Sequence, residues 1–159
     1  MDIRSLDPDE IITLNDYPLY DSASFESYVR MIRSEEVVPY VPLIPASSVR
    51  FEGLLAERFS TFAREHPRAH YVMLDGSHRT TAFTLARRPI PSIIYRCDAD
   101  IVEARGAVSS GLIRKSGTLE LSFDQNIDEL IAHFSAKPRF MTVREKTDRL
   151  VRDGFVRSP

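Results

Sequence analysis

The segment Asp75-Gly-Ser-His-Arg-Thr80 gathers a carboxylate, a glycine, an imidazole, a guanidinium and two hydroxyls into one short run. The apolar run His70-Tyr-Val-Met-Leu74 precedes it and Thr81-Ala-Phe-Thr-Leu-Ala-Arg87 follows, so it reads as the turn between a buried strand and a helix start. A glycine there permits a tight turn and close backbone approach, while the new helix presents unpaired N–H groups and the positive end of its dipole. Phosphate suits such a place. Arg79 is able to donate a bidentate pair of charge-assisted bonds, His78 one or two more according to its protonation, and the Ser77 and Thr80 hydroxyls complete a cradle around the Gly76 turn. Asp75 brings negative charge to an anion site, so it must hold a bridging Mg²⁺, orient His78 or Arg79, or accept a substrate hydroxyl. The bland alternative has Asp75 capping the helix and Arg79 in a surface ion pair.

The elements that position this loop follow from periodicity. Glu10-Ile-Ile-Thr-Leu14 reads as a short strand ended by Asn15-Asp16-Tyr17-Pro18, and Phe25, Tyr28, Val29 and Ile32 fall on one face of a helix capped by Asp21 or Ser22 and closed by Glu35 and Glu36. Pro42 and Pro45 demote Tyr40–Pro45 to a short or edge strand. Phe51, Leu54, Leu55, Phe59 and Phe62 mark a second helix that stops before Pro67. Downstream, Ser92–Arg96 reads as a strand. A helix capped by Asp100 and Glu103 is expected before Gly111, and Thr118–Phe123 alternates like a half-exposed strand. Asn126 and Glu129 have capping spacing ahead of a further helix, and a last helix is predicted over Val143–Val151.

Val72-Met-Leu-Asp-Gly-Ser-His-Arg-Thr-Thr-Ala-Phe-Thr-Leu85, followed by Pro89-Ile-Pro-Ser-Ile-Ile-Tyr95, resembles the ParB/sulfiredoxin superfamily, whose members carry an Asp-Gly-x-His-Arg or related signature between a strand and a helix. The resemblance spans residues 8–100 and implies an α/β fold with a small mixed sheet flanked by helices, in which 1–100 form the nucleotide-binding domain and 101–159 a C-terminal α/β extension packed on it. Sulfiredoxins place a catalytic cysteine in this loop; Ser77 stands at that position and Cys97 lies elsewhere, so sulfinate reduction is not expected. The loop is most similar to that of the free serine kinases, which use an Asp-Gly-His-His-Arg form, with Ser77 in place of the first histidine. The resemblance implies a kinase acting with ATP or ADP and Mg²⁺ on a small hydroxyl-bearing metabolite such as serine. It makes Gly76, Ser77, His78, Arg79 and Thr80 the nucleotide-binding residues, Asp75 the metal ligand, and Asp75 and His78 catalytic. The kinases' basic glutamate follows their first strand, a position matched by Asp16, with Asp21 and Glu36 as fallbacks. Ser109–Thr118 sits where the kinases carry a basic, hydroxyl-rich stretch and is read as a solvated loop, with Arg114 and Lys115 in reach of a phosphate. The superfamily's other activities, a CTP-gated DNA-binding module of the partition type or a ParB-like nuclease, stand as alternatives.

Composition narrows these choices. The chain has 159 residues, is 43% hydrophobic and 28% charged, and fits one domain with an elaborated end. One cysteine excludes a disulfide framework, no apolar run approaches a membrane span, and the acidic start has no signal-peptide pattern, so a cytoplasmic protein is expected. Residues 1–40 hold three arginines against nine acids, and 137–159 hold seven basic residues against three acids. That basic tail is read as a solvated face, and a net charge of −2 disfavours DNA as a partner. His66, His70 and His133 share no metal-ligand spacing and read as structural.

Overall fold

Alternating apolar residues of five strands build one mixed sheet in a computed structural model that describes residues 1–157. β1 (Asp2–Leu6), β2 (Ile11–Ile12), β3 (Val41–Pro45), β4 (Tyr71–Met73) and β5 (Ile90–Ile94) lie in the order β1-β5-β3-β4-β2. β3 runs parallel to β5 and antiparallel to β4; β1 pairs antiparallel with β5 and β2 parallel with β4. The period of two sends Ile12, Ile44, Val72 and Ile93 to one face and Ile11, Leu43, Met73 and Ile94 to the other. Six α-helices cover these faces: α1 (Ser22–Arg33), α2 (Gly53–Glu65), α3 (Ser77–Leu85), α4 (Asp98–Gly106), α5 (Phe123–Ala136) and α6 (Val143–Arg152). Residues of α2, α4 and α5 pack on the first face and of α1, α3 and α6 on the second, giving a three-layer α/β domain. No helix among the described residues is long and apolar enough to cross a membrane.

Several expectations are corrected. Tyr40–Pro45 is no edge: β3 lies at the centre of the sheet, fully buried. The prolines are tolerated there because each missing N–H falls beyond the end of a neighbouring strand. Pro42 turns toward β4, which ends at Met73, and its carbonyl takes the Leu74 N–H at 3.0 Å; Pro45 turns toward β5, whose pairing ends at Leu43. The acidic start, over which the sequence pattern predicts no element, supplies β1, an edge strand with Ile3 outward.

Thr118–Phe123 is not a strand. Residues Gly117–Leu119 form a 3₁₀ turn, and Ser122 caps α5 in a capping box with Gln125, displacing the expected Asn126 start. Asn126 is buried instead, its amide donating to the Thr118 and Ser122 carbonyls, each at 3.0 Å, and thereby holding the turn to the helix. Likewise α4 begins at Asp98: the Asp100 carboxylate accepts the Arg96 N–H at 2.7 Å, and Glu103 pairs with the N-terminal ammonium at 3.1 Å, so neither closes a capping box. The C-terminal extension is therefore helical rather than α/β, touching the sheet edge through one bridge, Ile12 to Thr142.

Candidate functional site

β4 ends under the loop, and Gly76 turns the chain into α3 with φ 114°, a left-handed conformation that favours glycine. A Cβ there would meet a Val41 methyl at 3.2 Å and the Arg79 Nη2 at 3.3 Å, so the residue is fixed by space as well as by φ. No side chain caps α3. Asp75 is not the cap that the bland reading made it. The hydroxyls of the loop turn inward: Thr80 Oγ1 donates to the Gly76 carbonyl at 2.9 Å, and the Ser77 hydroxyl stands between the Met73 sulfur at 3.8 Å and the Asp16 carboxylate, whose proton affinity it helps lower. Ser77 and Thr80 brace the loop from inside instead of completing a cradle.

Arg79 is 1% exposed and is no surface ion pair. Nη1 donates to the Pro39 and Tyr40 carbonyls at 3.0 and 2.9 Å, and Nη2 donates to Asp75 Oδ2 at 3.2 Å. The guanidinium also lies 6.0 Å from the centre of the Tyr28 ring. The expected bidentate fork is thus spent on the protein itself, where it ties β3's entry and Asp75 to α3. Only Nε keeps no partner among the described residues.

At the loop lies a cleft of about 180 Å³, whose lining includes Tyr20, Tyr28, Asp75, His78, Arg114 and Lys115. The stretch read as a solvated loop therefore closes over the motif, and Arg114 Nη1 reaches the Tyr28 hydroxyl at 3.3 Å. His78 is buried at 8% exposure beneath the Tyr20 ring, edge to face at 5.1 Å, and its Nε2 has no partner among the described residues. Burial holds the His78 imidazole below its ordinary range against the pull of Asp16 and Asp21, so it is neutral at pH 7.

Asp16, the expected base, does face the loop but does not line the cleft. Its carboxylate is ion-paired with Lys146 Nζ, and Lys146 is itself 2% exposed. Burial pushes the Asp16 carboxyl up, and the Lys146 charge and hydrogen bond more than offset it, leaving the group below its ordinary value. Burial lowers Lys146 in turn, with Asp16 opposing. Of the fallbacks, Asp21 caps α1 through the Ser24 N–H at 3.0 Å, and Glu36 is exposed in the turn after α1. His66 and His133 are structural as read: His66 Nε2 meets Glu145 at 2.9 Å and His133 Nε2 accepts the Asn15 N–H at 2.7 Å.

Sequence reasoning missed Lys146, Tyr20 and Tyr28. Lys146 had a signal: with Val143, Thr147 and Leu150 it falls at i, i+3, i+4 and i+7, the buried face of α6. Tyr28 read only as a core residue of α1, and Tyr20 carried no signal. No protein-family model matches the chain, and neither a curated protein nor a solved structure does.

Proposed function

We propose that the cleft binds the phosphates of a nucleotide and that the protein is a small-molecule kinase of the ParB/sulfiredoxin type, transferring a phosphoryl group to a hydroxyl-bearing metabolite such as serine. The observation that carries this reading is the convergence of Arg114 and Lys115 with the uncapped start of α3 at the Asp75–Thr80 motif. Two cations, a helix dipole and a neutral imidazole at one cleft suit a polyanion better than a neutral ligand. At about 180 Å³ the cleft is smaller than the roughly 300–1,000 Å³ that enclose a whole small ligand, so it suits the phosphates, with the base outside against Tyr20 and Tyr28.

The donor set fits Mg²⁺ brought in with the phosphates. Among the described residues no three His, Cys, Asp or Glu side chains form a metal cage, yet Asp75, with one oxygen on Arg79, has a second oxygen to offer, and Mg²⁺ commonly takes one or two carboxylates plus phosphate oxygens. Asp75 would hold the ion, which would supply positive charge to neutralise the phosphates. The chain's own work is positioning and proton transfer. The substrate oxygen attacks the terminal phosphorus, the bond to the bridging oxygen breaks with its electron pair leaving on the nucleotide, and the hydroxyl proton passes to His78 Nε2. His78 is preferred to Asp16 as the acceptor because it lines the cleft, whereas Asp16 is held by Lys146 at lowered basicity. Tyr20, 82% exposed, has room to swing off His78 as substrate enters. Asp16 then acts through charge, favouring the imidazolium that forms.

The basic tail that motivated a DNA-binding alternative is largely engaged within the chain, which favours the kinase reading: Arg144 pairs with Asp7 and Asp9, Lys146 with Asp16, and Arg149 with Asp153. The test is thermal stabilisation by ATP, ADP and CTP with and without Mg²⁺, then phosphoryl transfer to serine followed by product detection. With His78 as base, the acidic limb of kcat/KM lies below about pH 6.5 and His78→Asn lowers kcat by about 10²–10⁴. Absence of stabilisation by every nucleotide ends the reading, and an acidic limb confined to the carboxylate range returns the role to Asp16.

A further inference from the structure

Adjoining the cleft is a second, inner space of about 10 Å³, which shares Asp75, Arg79, Arg114 and Ser116 with it and is also lined by Tyr40 and Tyr95. That volume is close to one water-sized probe, enough to take one oxygen atom. Two side chains that line it carry buried polar atoms without a partner among the described residues: Arg79 Nε and the Tyr95 hydroxyl. Arg79 is 1% exposed and Tyr95 0%. Unpartnered buried donors are costly and uncommon, and two of them on side chains that line one small space point to an acceptor that completes them.

We infer that this inner space is an oxyanion subsite of the cleft, receiving one anionic oxygen of a bound ligand from the Arg79 Nε–H and the Tyr95 O–H. The inference rests on the phosphate reading of the cleft and adds to it a specific oxygen position. Asp75 does not forbid an anion there, because its charge is met by Arg79 Nη2 and Arg114 also lines the space. Tyr95 is held in the protonated, donating form: burial pushes its hydroxyl up to about 12, with Arg79 opposing. The oxygen is supplied by a phosphate or by a substrate carboxylate, which share this chemistry. A resident water would meet the same donors and is the competing occupant.

Tyr95→Phe removes the hydroxyl and leaves the ring, and deleting an unpartnered buried hydroxyl does not endanger the fold. Binding of inorganic pyrophosphate, of ADP with Mg²⁺ and of L-serine to the parent and to Tyr95→Phe is measured by calorimetry, with an unfolding curve for each protein. The subsite predicts that the variant is as stable as the parent or more so, yet binds its oxyanion about 10–100-fold more weakly, the worth of a hydrogen bond to a charged group. Loss with pyrophosphate and ADP places a phosphate oxygen there; loss with serine alone places a carboxylate. Parent-like affinity for all three ligands overturns the subsite in favour of water and leaves the phosphate reading standing. A parent that binds none of them overturns both.

Discussion

Arg79 shows how a residue read for its chemistry is first a structural part. Its three acceptors are two backbone carbonyls and a carboxylate, all beside a guanidinium with 1% exposure. Lysine keeps the charge but, as a point donor, lacks the planar fork that meets them together. Arg79→Lys is therefore expected to cost about 3 kcal/mol of stability, the scale of breaking a buried pair, read from the midpoint of urea unfolding. A variant as stable as the parent would remove the clamp from the account. A second expectation concerns acid. Burial holds His78 and His133 below their ordinary value of 6.5, so the folded chain binds fewer protons than the unfolded one as pH falls through that value. Their contribution is complete above 6.5 and is lost as pH falls toward the folded-state values, and the lowered Asp16 adds a further loss below 3.8. Stability should drop as pH falls below about 6.5, and His78→Asn should flatten part of that drop; a parent whose stability does not change as pH falls below 6.5 would contradict it. At this scale the motif's residue types and their place on a glycine turn between strand and helix were legible. Their directions were not, because which way Arg79 and Ser77 turn depends on the Pro39 and Tyr40 carbonyls and on Asp16, far away in sequence.

Elements were legible where one helix face or one turn decides them, as with α1, α2, α6 and the β4–α3 junction, whose pattern is local. β3 and the Thr118–Phe123 turn were not. Whether Pro42 and Pro45 disqualify a central strand depends on where β4 and β5 stop, and Thr118–Phe123 alternates but finds no strand edge, while the Ser122–Gln125 box and buried Asn126 claim its end for α5. The β4–α3 junction gives a sharp prediction. Gly76→Ala must adopt φ 114° and also press its Cβ on Val41 at 3.2 Å, inside the tight range for real contacts. The left-handed conformation alone costs about 1–2 kcal/mol, and the displaced Val41 and Arg79 add to it. Both stability and nucleotide binding should fall together, measured by chemical unfolding and by thermal shift; a variant that loses neither would show that the turn does not need glycine.

Across the whole molecule the charge asymmetry of the chain is closed by folding. The acidic first forty residues meet the basic end through Asp7 and Asp9 with Arg144, and through Asp16 with Lys146, so the extension is joined to the loop that α3 carries. These two contacts differ in burial, and burial decides what each contributes. Arg144 is 43% exposed and its partners are comparably open, so water and salt screen the pair and its net worth is about 0–1 kcal/mol. Lys146 is 2% exposed, and removing it leaves the partly buried Asp16 carboxylate without its counter-charge beside Ser77. Arg144→Ala should therefore cost under about 1 kcal/mol and lose even that in molar salt. Lys146→Met should cost about 3 kcal/mol with little dependence on salt and should raise the pH at which acid unfolds the protein, because Asp16 no longer stays ionised below its ordinary range. Adding Asp16→Leu to Lys146→Met removes the orphaned charge and should recover most of the loss, since apolar replacement of a buried pair is often neutral. Unfolding of the two single variants and the double one at low and high salt measures all of this. Equal, salt-sensitive losses for Arg144→Ala and Lys146→Met would mean that the Lys146 pair is no more than another surface contact and that α6 does not brace the loop through it.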